Sequence, residues 1–152
     1  MKHLVLVTLF FLSACNITDT NSDKIISLYN SISPSKLING NKAILVIPMV
    51  GCGSCADMAI KFIKDNIDSS EKLFCIISSS GEKRAKIKLK GFTHNKVLID
   101  SKSKAILESL VLNFPTIYYF EKNKTRIKQL DGNNQFEEIK LLKATLSEWK
   151  NE

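Results

Sequence analysis

The chain has 152 residues, room for about one domain, with 44% hydrophobic content and no repeat or low-complexity stretch. Its formal charge of +7 comes mostly from lysine scattered along the chain, with Arg84 and Arg126 as its only arginines. That pattern makes a solvated basic surface without the arginine–aromatic interleaving of a nucleic-acid groove, so nucleic acid is excluded as a partner.

The first residues, "MKHLVLVTLFFLSAC", set Lys2 before an apolar stretch from Leu4 to Leu12, followed by small residues. This is the layout of a secretory signal, and it is too short for a permanent membrane-spanning helix. Leu12-Ser13-Ala14-Cys15 resembles the lipobox of bacterial lipoproteins. The resemblance implies that residues 1–14 are removed and that Cys15 carries a diacylglyceryl group. It places the protein in the bacterial cell envelope as a membrane-anchored lipoprotein facing the periplasm. Acyl chains contribute roughly 0.8 kcal/mol per buried methylene, so more than one of them holds a soluble domain at a membrane. Residues 15–23, with the polar run "NITDTNSD", are expected to form a flexible tether, and 24–152 the folded domain. Outside the cytoplasm thiols form disulfides, and Cys52, Cys55 and Cys75 remain to do so.

The stretch 24–38 fits neither the helical nor the strand period cleanly, and Pro34 interrupts it. Ala43 to Ile47 is a continuous apolar, largely branched run, the pattern of a strand covered on both faces. After Gly51–Ser54, the segment Cys55–Asn66 reads as a helix, with Ala59, Ile60, Ile63 and Ile67 on one side. Lys72–Ser79 is a second apolar strand, completing a β-α-β unit that implies parallel pairing. "GEKRAKIKLKG" is a basic helix or an extended linker, Lys96–Asp100 a short strand, and "SKAILESL" a short helix. Thr116–Phe120 and Arg126–Leu130 predict a hairpin around the turn Glu121–Thr125. Asn134 with Glu137 predicts a capping box for a last helix whose apolar face is Phe136, Ile139, Leu142, Leu146 and Trp149.

Cys52 and Cys55, spaced C-x-x-C between a buried strand and a helix, could be a redox pair, two metal ligands or an inert staple. A second element, Phe114-Pro115-Thr116, opens the strand of the hairpin. Together, the element order, this CxxC and the Phe-Pro-Thr resemble the thioredoxin fold across about Ala43–Trp149. The α/β insertion "THNKVLIDSKSKAILESLVLN" is similar to that of the TlpA-type thiol–disulfide oxidoreductases of the cell envelope. The resemblance implies an α/β fold, a central mixed sheet flanked by helices, with that insertion between the CxxC helix and the proline strand. It also implies a cis bond before Pro115, seated against the cysteines, with Gly51 and the backbone of Phe114 bordering an extended substrate segment.

At a helix N-terminus, unpaired N–H groups and the positive dipole end face Cys52, favouring its thiolate, while Cys55 lies one turn deeper. Cys52 is therefore expected to attack a partner disulfide and Cys55 to resolve the mixed disulfide. The implied partners are protein thiols or disulfides and a recycling reductant. Gly53-Ser54 offers no cation to the thiolate, which leans the reaction toward reduction. Two positions depart from the family: Gly51 stands where thioredoxins carry Trp, and Val46 where many carry a buried Asp that moves protons. The alternative is a redox-inactive thioredoxin-like lipoprotein serving as a protein- or metal-binding module. A metal is disfavoured because His94 is the one histidine beyond the signal and lies far along the chain. No cofactor is expected. Cys75, inside an apolar strand, reads as a small buried hydrophobe.

Overall fold

The structure, a computed structural model, describes residues 20–35, 37, 39–122 and 124–151. The signal, the lipidation position Cys15 and the first part of the tether lie outside the described residues.

The apolar run around Ile44 forms β1 (Lys42–Pro48), and it is central. One neighbour is the parallel strand β2 (Leu73–Ser78), with Leu45 opposite Cys75. Its other neighbour is the antiparallel β4 (Thr116–Glu121), with Leu45 opposite Ile117. The edges are β3 (Val97–Asp100), parallel to β2, and β5 (Lys124–Gln129), antiparallel to β4. The order β3-β2-β1-β4-β5 is that of a thioredoxin-like α/β sheet extended by one strand from the insertion.

Alternation along β1 divides the core in two. Ala43, Leu45 and Ile47 pack under α2 (Gly53–Asn66), α3 (Glu82–Leu89) and α5 (Gln135–Trp149). Ile44 and Val46 point the other way, toward α1 (Thr20–Ile32) and α4 (Lys104–Leu107). With both faces covered, a strand gains burial from every side chain, which explains the unbroken apolar run.

Several local expectations change. The ambiguous N-terminal stretch is helical up to Ile32, because Ile25, Leu28 and Tyr29 recur at helical spacing against the sheet, Tyr29 edge-on to Phe74. That helix begins at Thr20 and buries Ser22, so order reaches into the segment expected as tether. The basic segment after β2 is a helix, not a linker, anchored by the buried pair Ala85 and Leu89. The hairpin turn is tighter than Glu121–Thr125, since Glu121 pairs directly with Lys124 and holds Arg126 at 2.7 Å.

The capping box is not formed. Asn134 Oδ1 accepts from the backbone of Asp131 at 3.0 Å, and Asp131 Oδ1 accepts from Asn133 and Asn134 at 2.8 and 3.1 Å. This local turn takes the groups that would have capped the helix. Phe136 is 72% exposed and leaves the apolar face to Leu142, Leu146 and Trp149, with Ile139 half-buried.

Asp100 ties the insertion to the sheet. Its buried carboxylate accepts from Ser78 Oγ and from the backbone N–H of Ala105, both at 2.8 Å.

Candidate active site

β1 ends at Pro48, and Met49 donates its N–H to the Ser78 carbonyl at 2.9 Å, holding the exit of the strand. The chain then turns at Gly51, whose φ is +82°. A Cβ on Gly51 would lie 2.6 Å from Asn113 Cα, so no side chain fits. A Trp could not be accommodated there, because the loop before β4 occupies that space.

Cys52 is the N-cap of α2, with extended backbone at φ −69° and ψ 99°. Its Sγ accepts from the Cys55 N–H at 3.2 Å and stands 3.5 Å from Ser54 Oγ. Thus one of the orphan donors of the first turn points at the sulfur. The Cys52 carbonyl accepts from Ala56 at 3.1 Å, and its N–H donates to the Asn113 carbonyl at 2.9 Å. Cys52 and Cys55 are joined by a disulfide, with Cα atoms 5.3 Å apart. Cys52 is half-buried and Cys55 has no exposure at all. The pair is asymmetric, one sulfur at the surface and the other behind it.

The expected loop does meet the cysteines, but through a different residue and in a different form. The bond before Pro115 is trans, as are all peptide bonds among the described residues, which corrects the expected cis-proline. Trans is the intrinsically favoured isomer of an X–Pro bond. Nothing here opposes it, because the loop reaches Cys52 with the Asn113 carbonyl two residues earlier. Pro115 is buried, and its carbonyl accepts from Leu130 at 2.7 Å. Phe114 is half-buried, and its carbonyl accepts from Thr116 Oγ1 at 3.2 Å. Asn113 was not foreseen; a polar residue before Phe-Pro carries no signal of a long-range backbone contact.

On the side of Cys52 toward α3 lies an open cavity of about 340 Å³. Met49, Val50 and Ile87 supply apolar surface to it, and Arg84 and Lys88 bring cations; neither Phe114 nor Pro115 lines it. The α3 residues were legible as basic but gave no sign of lying beside the cysteines.

Cys75 is a free cysteine in β2, fully buried, and burial pushes its thiol far above the ordinary range. His94 sits in a loop, its Nε2 3.1 Å from Asp68 and its Nδ1 accepting from the Lys96 N–H at 3.1 Å. Among the described residues no group of three or more His, Cys, Asp and Glu is arranged to hold a metal ion. Nor is any of their helices long and apolar enough to cross a membrane.

No family model and no curated protein sequence matches the chain. Among solved structures, it is similar to the N-terminal domain of PilB from Neisseria gonorrhoeae, at 15% identity and a TM-score of 0.45. The match covers 84% of this chain and 99% of that one. So distant a likeness adds nothing to the strand order and register, which by themselves give the thioredoxin-like architecture.

Proposed function

We propose that the protein is a thiol–disulfide oxidoreductase that reduces disulfides of partner proteins in the bacterial envelope. The carrying observation is the asymmetric Cys52–Cys55 pair, a surface sulfur at a helix N-terminus linked to one beneath it.

In the reduced protein, the Cys55 N–H and the positive end of α2 favour negative charge on Cys52 Sγ. The Cys52 thiolate attacks one sulfur of a partner disulfide, forming a mixed disulfide and expelling the other partner sulfur as a thiolate that takes up a proton. Cys55, losing its proton, then attacks Cys52 Sγ. The Cys52–Cys55 bond forms, the mixed disulfide breaks, and the second partner sulfur leaves as a thiol. Two electrons and two protons pass to the partner, and a dithiol reductant restores the pair by the reverse exchange. Gly51 and Phe114 would border the incoming segment, and Pro115 would support the loop behind it. Gly53-Ser54 places no cation between the cysteines, which supports the reducing direction.

The domain would act from a lipid anchor on Cys15, facing the periplasm. Labelling of the protein with radioactive palmitate, abolished by Cys15→Ser, tests that part separately.

For the exchange itself, disulfide reduction is compared in wild type, Cys52→Ser and Cys55→Ser. Loss of turnover in both, with a trapped mixed disulfide only in Cys55→Ser, supports the roles. Full activity in Cys52→Ser would remove Cys52 as nucleophile. A reduction potential below about −300 mV would instead mark a structural staple and favour a redox-inactive binding module.

A further inference from the structure

Beside Cys52, the wall of the cavity has a composition that the exchange chemistry alone does not require. Val50 is 45% exposed and Ile87 67% exposed, which sets two exposed apolar side chains beside the surface sulfur. Arg84 and Lys88 stand among them, and no acidic residue lines the cavity. The acids nearby are already engaged: Asp57 with Lys88 at 2.6 Å, and Glu82 with Lys86 at 2.6 Å. Lys83, Arg84 and Lys90 make no ion pair among the described residues and are exposed. An adjoining cleft, which also includes Ile87, continues along Glu82, Lys83, Lys86 and Lys90, and its one acid, Glu82, is taken up by Lys86. Lys83, Arg84 and Lys90, the cations without an ion pair among the described residues, therefore span α3, about 12 Å for its eight residues. That span suits about four residues of extended chain at roughly 3.3 Å each, more than a small molecule covers. On the other side of Cys52, the carbonyls of Asn113 and Phe114 are occupied within the fold.

We infer that this groove is the specificity surface for a partner segment in which carboxylates flank an apolar residue next to the disulfide to be reduced. The inference rests on the proposed exchange reaction and names its substrate class. The apolar residue sits against Met49, Val50 and Ile87, the carboxylates face Arg84, Lys83 and Lys90, and the partner's cystine lies over Cys52. Opposite charge draws the segment in and sets its direction, while the apolar contact holds it.

The test uses the reduced full-length protein and two synthetic peptides, each closed by one disulfide. One carries Asp-Leu-Asp beside its cystine and the other Lys-Leu-Lys. The acidic peptide is expected to have about tenfold higher kcat/KM at low ionic strength, mainly through KM, from two or three exposed charge contacts. The ratio falls toward one as salt screens them. Arg84→Glu lowers the ratio severalfold or inverts it. Lys150→Glu, beyond the far end of α2, leaves it unchanged. Equal reduction of both peptides by wild type overturns the docking inference while leaving the exchange reaction standing; reduction of neither overturns both. If dithiodiglycolate is preferred over hydroxyethyl disulfide as strongly as the acidic peptide is over the basic one, the occupant is a small acidic disulfide and the segment is wrong. If Arg84→Glu abolishes sedimentation with phosphatidylglycerol vesicles but leaves the peptide ratio unchanged, α3 is a lipid-facing surface and the inference falls.

Discussion

Gly51→Ala isolates the contact on which the site geometry depends. The residue has a φ of +82°, where an L side chain is strained by about 1–2 kcal/mol. The added methyl would lie 2.6 Å from Asn113 Cα, against an ordinary carbon–carbon contact of about 3.5–4.0 Å. The loop must therefore withdraw by about 1 Å, and the 2.9 Å bond from Cys52 N–H to the Asn113 carbonyl opens, a further loss of about 1 kcal/mol. Together these predict a loss of about 3 kcal/mol, read as a Tm lower by about 10 °C in a domain of this size. Gly53→Ala is the control: nothing lies within 4 Å of a Cβ there and the position opens α2, so stability changes by no more than about 0.5 kcal/mol. Thermal and urea unfolding of the oxidised variants, followed by circular dichroism, measure the Tm and the free-energy change for each. Wild-type stability in Gly51→Ala would refute the claim that the loop before β4 is packed on residue 51.

Cys75 should make the protein alkali-sensitive. Burial raises its folded pKa, so the thiol stays protonated in the native state while the unfolded chain loses its proton above about pH 8.5. Stability then falls as pH rises past that value, by up to about 1.4 kcal/mol per unit, and Cys75→Ala should flatten the slope below pH 10 in urea titrations. Tyr29 and Tyr119, also raised by burial, add to the fall above about pH 10. Val46→Asp, which supplies the acid many thioredoxins carry, should destabilise by about 3 kcal/mol or more, because Val46 is wholly buried among apolar side chains under α1 and α4. A variant of wild-type stability and faster exchange would show that the acid has a partner there. Asp100→Ala strands the Ser78 hydroxyl and the Ala105 N–H, and thermal melts should show a loss of about 2–3 kcal/mol.

The amino-acid sequence by itself determined the frame. An unbroken apolar strand, a CxxC at a helix start, a second apolar strand and a late hairpin leave few ways to pair, and local periodicity encodes each of them. It also determined which cysteine caps the helix, since three residues of spacing set one turn. Tertiary structure decided the rest of the site. The part of the ambiguous stretch up to Ile32 became a helix because the sheet face beneath it takes Ile25, Leu28 and Tyr29, a short apolar stripe that stands out only once that face is known. The 114–115 bond keeps the intrinsically favoured trans form, and Asn113, two residues earlier, makes the contact expected of the proline. The need for glycine at 51 and the basic wall beside Cys52 arise from residues about 60 and 30 positions away. No local pattern carries such pairings; they exist only once the sheet brings β1, α3 and the loop before β4 to the same end.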